Sequence, residues 1–357
     1  MSPHKVFILI FLILIFQGCI KVDPFIDITE NPAGTDLASV DLISEQAKAE
    51  IQAFIEDNTR FDACMVMQGD KLIYSYGSVH LPYNAASVRK SIFSALFGIA
   101  AEKGIVDLDA TMADLGIDDN VNPLTPTEKT ATVRHLLMAR SGIYLPSVGE
   151  SAGMKRRKPA RGAYLPNEHF YYNNWDFNVL PMILERATGK KLGDLINEWL
   201  AIPLGMKDFV PSNVTYEYAS YTEHPQTRVY ISAEDLARFS SVYLTNGSWN
   251  GNQVIPAAWV KESTQKVSSE PEEADLVEHP FMEGYAYLWW IDEDEQTFWA
   301  DGAGGHFCIV DRQNNIAVIL RNNTGISASS LTFYNADNPY EDNESGNEVY
   351  RFIKSKL

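Results

Sequence analysis

Strand-like segments at both ends of the chain, separated by a long stretch of helical pattern, constrain the fold more than any other feature. Cys64-Met65-Val66-Met67 and Leu72-Ile73-Tyr74 flank the turn-rich Gln68-Gly69-Asp70-Lys71 and predict a hairpin. Phe298-Trp299-Ala300, His306 to Val310 and Ile316 to Leu320 predict three more strands, the last two joined by the turn Arg312-Gln313-Asn314-Asn315. A lone hairpin exposes its edges and is marginal in water, so the N-terminal pair must join the C-terminal strands. The expected architecture is α+β: an antiparallel sheet built from both chain ends, flanked by helices, with a large helical insertion beside it.

Apolar residues at helical spacing predict helices over Ser39–Asp57, 133–139, 178–187, 192–200, 233–245, 256–263 and Val349–Lys356. After Ser87 the pattern is helical until the C-terminal strands return. Acidic, proline-containing stretches at 270–283 and 337–348 read as surface loops long enough to rim a pocket. The basic cluster Lys155-Arg156-Arg157-Lys158 with Arg161 reads as a solvated loop. A net charge of −18 argues against nucleic acid as a partner, because phosphates need basic surface that this composition lacks.

At the N-terminus, His4 and Lys5 precede an apolar run from Val6 to Phe16, followed by Gln17-Gly18-Cys19. The run is too short for a membrane-spanning helix, which takes ~20 residues. A basic start, a short apolar core and a small residue make it a secretory signal. Ending in cysteine, it resembles a bacterial lipoprotein signal. That resemblance implies removal of residues 1–18, a lipid on Cys19 and a tether over 19–38. The rest of the chain would then sit in the bacterial cell envelope, held to a membrane outside the cytoplasm.

Three places in the chain carry serine and lysine three residues apart: Ser2 with Lys5, Ser87 with Lys90, and Ser263 with Lys266. Side chains at i and i+3 share a helix face, so the lysine can take the proton of the serine and make it a nucleophile. The first pair lies in the signal, and the third reads as a solvated helix end running into an acidic loop. Only Ser87 opens an apolar helical face, Ile92, Phe93, Ala95, Leu96, Ile99 and Ala100, closed by Gly104. A helix N-terminus also offers free N–H groups where an acyl oxyanion would be stabilised. An unperturbed lysine is neutral in only roughly 1 in 2500 molecules at pH 7, so Lys90 needs burial or a neighbouring charge to act as a base.

Tyr172-Asn173-Asn174, in the aromatic segment Phe170 to Phe177, is a second chemical signal: a phenol that can relay protons and an amide that can orient a carbonyl. Tyr171-Tyr172-Asn173 fits the same Tyr-x-Asn pattern one residue earlier. Gly302-Ala303-Gly304-Gly305 between two strands is a third, permitting close approach of backbone to a ligand or making a tight turn. A competing nucleophile is Ser151 in Gly149-Glu150-Ser151-Ala152-Gly153, which has the spacing of a hydrolase elbow. It lacks the strand before and packed helix after that an elbow needs. The scattered histidines suggest no metal site, and no cofactor motif is present.

Ser-x-x-Lys, then Tyr-x-Asn, then a glycine-bearing strand, in that order, resemble the serine β-lactamase and penicillin-binding protein superfamily, in its class C β-lactamase-like branch. Thr132-Val133-Arg134-His135-Leu136-Leu137, Pro203-Leu204-Gly205-Met206 and Gly284-Tyr285-Ala286-Tyr287 support it. The resemblance implies one β-lactamase-like serine hydrolase domain over 39–357, with Ser87 acylated and Lys90 and Tyr172 as the acid/base pair. It favours Tyr172 over Tyr171 and assigns substrate binding to Asn174 and Gly302. The oxyanion would rest on the backbone N–H groups of Ser87 and Ala303. Where β-lactamases read Lys-Thr-Gly this chain reads Ala300-Asp301-Gly302, which points away from penicillins. Esters, D-amino-acid peptides or short amides, as in 6-aminohexanoate-oligomer hydrolases, are the implied substrates; the alternative is a non-catalytic cell-wall-fragment or peptide-binding protein. The implied sheet also sets a strand between Cys64 and Cys308. At about 4.8 Å per strand this exceeds the ~7 Å reach of a disulfide.

Overall fold

The computed structural model describes residues 26–269, 282–292, 296–324 and 343–357. The signal segment, Cys19 and most of the two acidic stretches lie outside the described residues. Helix α1 (Glu45–Asn58) starts later than its apolar spacing predicts. Ser44 Oγ accepts from Ala47 N and caps it. The residues ahead are drawn to a strand edge instead, with Val40 N donating to Leu72 O and Leu72 N to Ala38 O, each at 2.9 Å.

The hairpin β1 (Ala63–Gln68) and β2 (Lys71–Gly77) follows, then the short β3 (Tyr83–Asn84), a 3-10 turn at Ala86–Val88 and α2 (Arg89–Glu102). The insertion holds α3 (Val133–Leu137), α4 (Ala152–Arg157) and α5 (Asn174–Thr188). In it, α6 (Leu192–Ile196) continues through a π-helical turn into α7 (Ile202–Leu204). β4 (Val214–Ala219) and β5 (Thr222–Ile231) then pair and make a second sheet in the order β3-β5-β4. The sequence reading missed these strands, because β5 is buried along nearly its whole length and shows no inside-outside alternation.

The chain continues with α8 (Ala233–Leu244), a small hairpin of β6 (Ser248–Trp249) and β7 (Asn252–Gln253), and α9 (Ala257–Ser263). β8 (Gly284–Tyr285), β9 (Trp290–Asp292), β10 (Thr297–Gly302), β11 (His306–Asp311), β12 (Ile316–Arg321) and α10 (Asn343–Lys354) complete it. Helix α10 takes in 343–348, which had read as loop. Its buried apolar residues start only at Val349, so periodicity misses the polar first turns. Gly346 lets those turns approach the Phe307 ring, since a Cβ there would lie 2.8 Å from it.

The main sheet is antiparallel, ordered β2-β1-β12-β11-β10-β9-β8, so both chain ends build it as predicted. β12 stands between Cys64 and Cys308, which are free, buried thiols. Helix α2 is buried on every side from Arg89 to Ala100, not amphipathic. At Gly98 a Cβ would fall 2.2 Å from Trp259 of α9, so glycine lets the two helices touch. Helix α2 also packs against α5 and β10. No described helix is long and apolar enough to cross a membrane.

Candidate active site

Ala86, the residue before Ser87, adopts φ +44°, a left-handed conformation that is strained for a residue with a Cβ. Ala86 N donates to Asn84 Oδ1 at 3.0 Å and steadies the turn. Ser87 is half-buried on it, while Lys90, one turn on, is 3% exposed. Lys90 Nζ donates to Ser87 Oγ at 2.8 Å and to Tyr172 OH at 2.6 Å. It also lies 4.2 Å and 4.5 Å from the ring centres of Tyr172 and Phe177. Burial holds the Lys90 amine well below the ordinary lysine range, the Arg89 cation adds to this, and Asp301 opposes it.

The structure separates the two tyrosines. Tyr171 OH donates to Met154 O at 2.8 Å inside the core, so Tyr172 is the one that meets Lys90. The Tyr172 ring lies on Trp290, centres 5.4 Å apart at 28°, with Tyr285 edge-on at 6.0 Å. Both aromatic partners lie in the Gly284–Trp290 stretch that supports the family resemblance, but no pattern in the sequence marks either as a neighbour of Tyr172. Asn173 is structural: its Oδ1 accepts from Trp175 N at the start of α5, and its Nδ2 donates to Ile143 O at 2.7 Å and Asp176 Oδ1 at 2.9 Å. Asn174 Oδ1 is buried with no hydrogen-bond partner among the described residues, an unmet polar atom that needs an explanation. Fully buried Asp176 also accepts from Ser141 Oγ at 2.6 Å, and burial pushes its carboxyl well above the usual range. Through Asp176 the Ser141–Ile143 segment and the Tyr172–Asn174 segment are tied together.

Gly302 closes the site from the sheet. A Cβ there would lie 2.7 Å from Ala85 O, so only glycine lets β10 run against the Ser87 turn. Ala303 follows, exposed, and half-buried Asp301 pairs in register with Phe307. Opposite Gly302, His306 is buried and its pKa lies well below the ordinary value, first through burial and then through Arg321, so it is neutral.

Ser151 stands as a helix cap. Its Oγ accepts from Met154 N at 3.0 Å and caps α4, with no strand before it. The nearby basic cluster is solvated as expected at Lys155, Arg156 and Arg161, but Lys155 to Arg157 end helix α4 rather than lying in a loop, Lys158 pairs with buried Glu150, and Arg161 donates to buried Glu128 at 2.8 Å. Ser263 at the end of α9 is likewise buried rather than solvated. Among the described residues no three histidine, cysteine or carboxylate side chains are grouped to hold a metal ion.

Residues 51–333 match the Beta-lactamase family. The chain belongs to that family. It is 23% identical over 188 residues to penicillin-binding protein 4* of Bacillus subtilis, covering 46% of this chain and 40% of that one. To a D-aminopeptidase of Brucella anthropi it is 28% identical over 94 residues, 26% of this chain and 18% of the relative. The chain spans less than half the length of these two curated relatives. A structure from Bacillus anthracis described as a "Putative 6-aminohexanoate-dimer hydrolase" superposes with TM-score 0.62 at 18% identity, over 92% of this chain and 89% of that one. That likeness is one of fold.

Proposed function

We propose that the protein hydrolyses an ester or amide through an acyl-enzyme on Ser87, with Lys90 and Tyr172 as the acid/base pair. The observation that carries this reading is the Lys90 amine, buried, held well below the ordinary lysine range, and within 2.8 Å of Ser87 Oγ and 2.6 Å of Tyr172 OH. A buried amine favours its neutral form and has a lone pair for the serine proton. Ser87 Oγ then bonds to the substrate carbonyl carbon, and its proton passes to the Lys90/Tyr172 pair. The carbonyl oxygen takes the negative charge against the N–H groups of Ser87 and Ala303, each contributing ~10²-fold or more. When the tetrahedral centre collapses, the pair returns the proton to the leaving alkoxide or amine. Water attacks the acyl carbon, gives its proton to the same pair, and Ser87 leaves with a proton as the acid is released. Asn174, whose buried Oδ1 has no hydrogen-bond partner among the described residues, would orient the substrate through its amide.

The relative named a D-aminopeptidase supports D-configured peptides as the substrate class. Ala300-Asp301-Gly302 supplies a carboxylate and no cation, which disfavours substrates carrying an anion beside the reacting carbonyl. The same missing cation favours a second reading, a binding protein that keeps the pocket without turnover. A panel of neutral esters, short amides, D-peptides and β-lactams decides between them. Turnover of any member that is lost in a folded Lys90→Ala supports catalysis; no turnover of the panel by a folded wild type supports binding.

We further propose that the domain is lipid-anchored through Cys19 in the cell envelope. Supporting this are the basic start, the Val6–Phe16 run and the small residue before the cysteine. Metabolic labelling with radioactive palmitate should mark the wild-type chain and not Cys19→Ala; equal labelling of both contradicts the anchor.

A further inference from the structure

Arg89 lies between the two residues of the proposed acylation chemistry, and nothing in its spacing marks it. It is 3% exposed, a rare setting for a guanidinium without a carboxylate against it. Its Nη1 donates to the carbonyl of Ala86, the residue whose φ is +44°. With the Gln226 amide turned so that its oxygen faces Arg89, that oxygen accepts from Nη2 at 3.0 Å while the amide nitrogen donates to Glu217 Oε2 at 3.2 Å. Arg89 Nε has no partner among the described residues. The side chain therefore joins α2 to the Ala86 turn and to β5, with no hydrogen bond to Ser87 or Lys90 among the described residues.

We propose that Arg89 is a positioning residue: its guanidinium clamps the strained Ala86 turn under Ser87 and holds a fixed positive charge on the residue next to Lys90, in a site where β10 supplies no cation. This rests on the assignment of Ser87 and Lys90 made above. Burial brings the Arg89 guanidinium down to about 10, still protonated at neutral pH. Its charge disfavours an ammonium on Lys90, and so favours the neutral base. Asp301 on β10 acts in the opposite direction on Lys90. Tyr172 touches the amine, with Tyr285 on β8 and Asp176 on α5 behind it. Tyr172 and, on β4, Glu217 favour the charged form of Arg89, and Arg228 on β5 opposes it.

The test reads Lys90 directly. The full chain is labelled with 13C at the lysine ε carbons, the Lys90 signal is assigned by its loss in Lys90→Met, and its titration is followed in wild type, Arg89→Lys, Arg89→Gln and Arg89→Met. Arg89→Gln keeps a polar side chain should Arg89→Met fail to fold. The midpoint is expected to rise by about one unit or more in both neutral variants. In Arg89→Lys it should stay near the wild-type value, while Ser87 takes up a fluorophosphonate more slowly because the clamp is lost. A purely structural role would slow labelling without moving the midpoint. A folded Arg89→Gln with the wild-type Lys90 midpoint overturns the proposal. The titration needs no turnover, so it decides on Arg89 separately from fluorophosphonate labelling of wild-type Ser87, whose absence would count against the acylation chemistry itself.

Discussion

Lys90 is the residue at which function and stability oppose each other. Its folded pKa is lowered, so between that value and the ordinary lysine value the unfolded chain binds a proton that the folded chain does not. The penalty is therefore present at neutral pH and is relieved as pH rises through the unfolded value of roughly 10.4. Lys90→Met should raise Tm by about 2 °C or more at pH 7, with the gain shrinking toward about pH 10, while hydrolysis falls by ~10²–10⁴-fold. Thermal unfolding across pH, with rates on one ester, measures both. Asp301 acts on the same amine with the opposite sign, favouring the ammonium. Asp301→Asn should therefore move the acid limb of kcat/KM to lower pH, and a limb displaced upward would contradict that assignment. At this scale the sequence was legible where chemistry depends on neighbours along the chain: Ser87 and Lys90 share one turn. Arg89 was not legible, because its partner Gln226 comes from a distant strand.

At the scale of elements, β10 and α5 bring the remaining groups to Ser87. Gly302→Ala would push a methyl group to within 2.7 Å of Ala85 O, a backbone atom that cannot swing aside. Either β10 or the nucleophile turn must retreat, and kcat/KM should fall by at least ~10-fold, as a displacement of about 1 Å in a preorganised site can cost more. Asp176 at the start of α5 has a raised folded pKa: folded, it keeps a proton at a pH where the unfolded chain has lost it. Its contribution to stability is thus greatest below the unfolded value near 4 and declines as pH rises toward the folded pKa. Asp176→Asn should keep the bonds from Ser141 and Asn173, retain activity, and show less loss of Tm than wild type between about pH 5 and about pH 8. Element type followed from periodicity for α1, α5 and α8, whose apolar faces repeat. Periodicity failed for β5, buried along both faces, and for the polar start of α10, which depends on Gly346 meeting Phe307.

Across the whole molecule, the pairing of β1 with β12 closes the sheet from both chain ends, and this much followed from the need to cover the edges of a lone hairpin. The three chemical signals lie far apart in sequence, and the closed sheet with its helical insertion brings them together: the Ser87 turn from the start of α2, Tyr172 from the insertion, Gly302 from the returning strands. The geometry accounts for acylation and leaves substrate choice to loop chemistry that no motif in the sequence encodes. Intact-mass spectrometry after exposure to a fluorophosphonate or a chromogenic ester tests acylation most directly. The account predicts one adduct on the wild-type chain, mapped to Ser87 by peptide digestion and absent from Ser87→Ala. An adduct mapped to Ser151, or one that persists in Ser87→Ala, would contradict it.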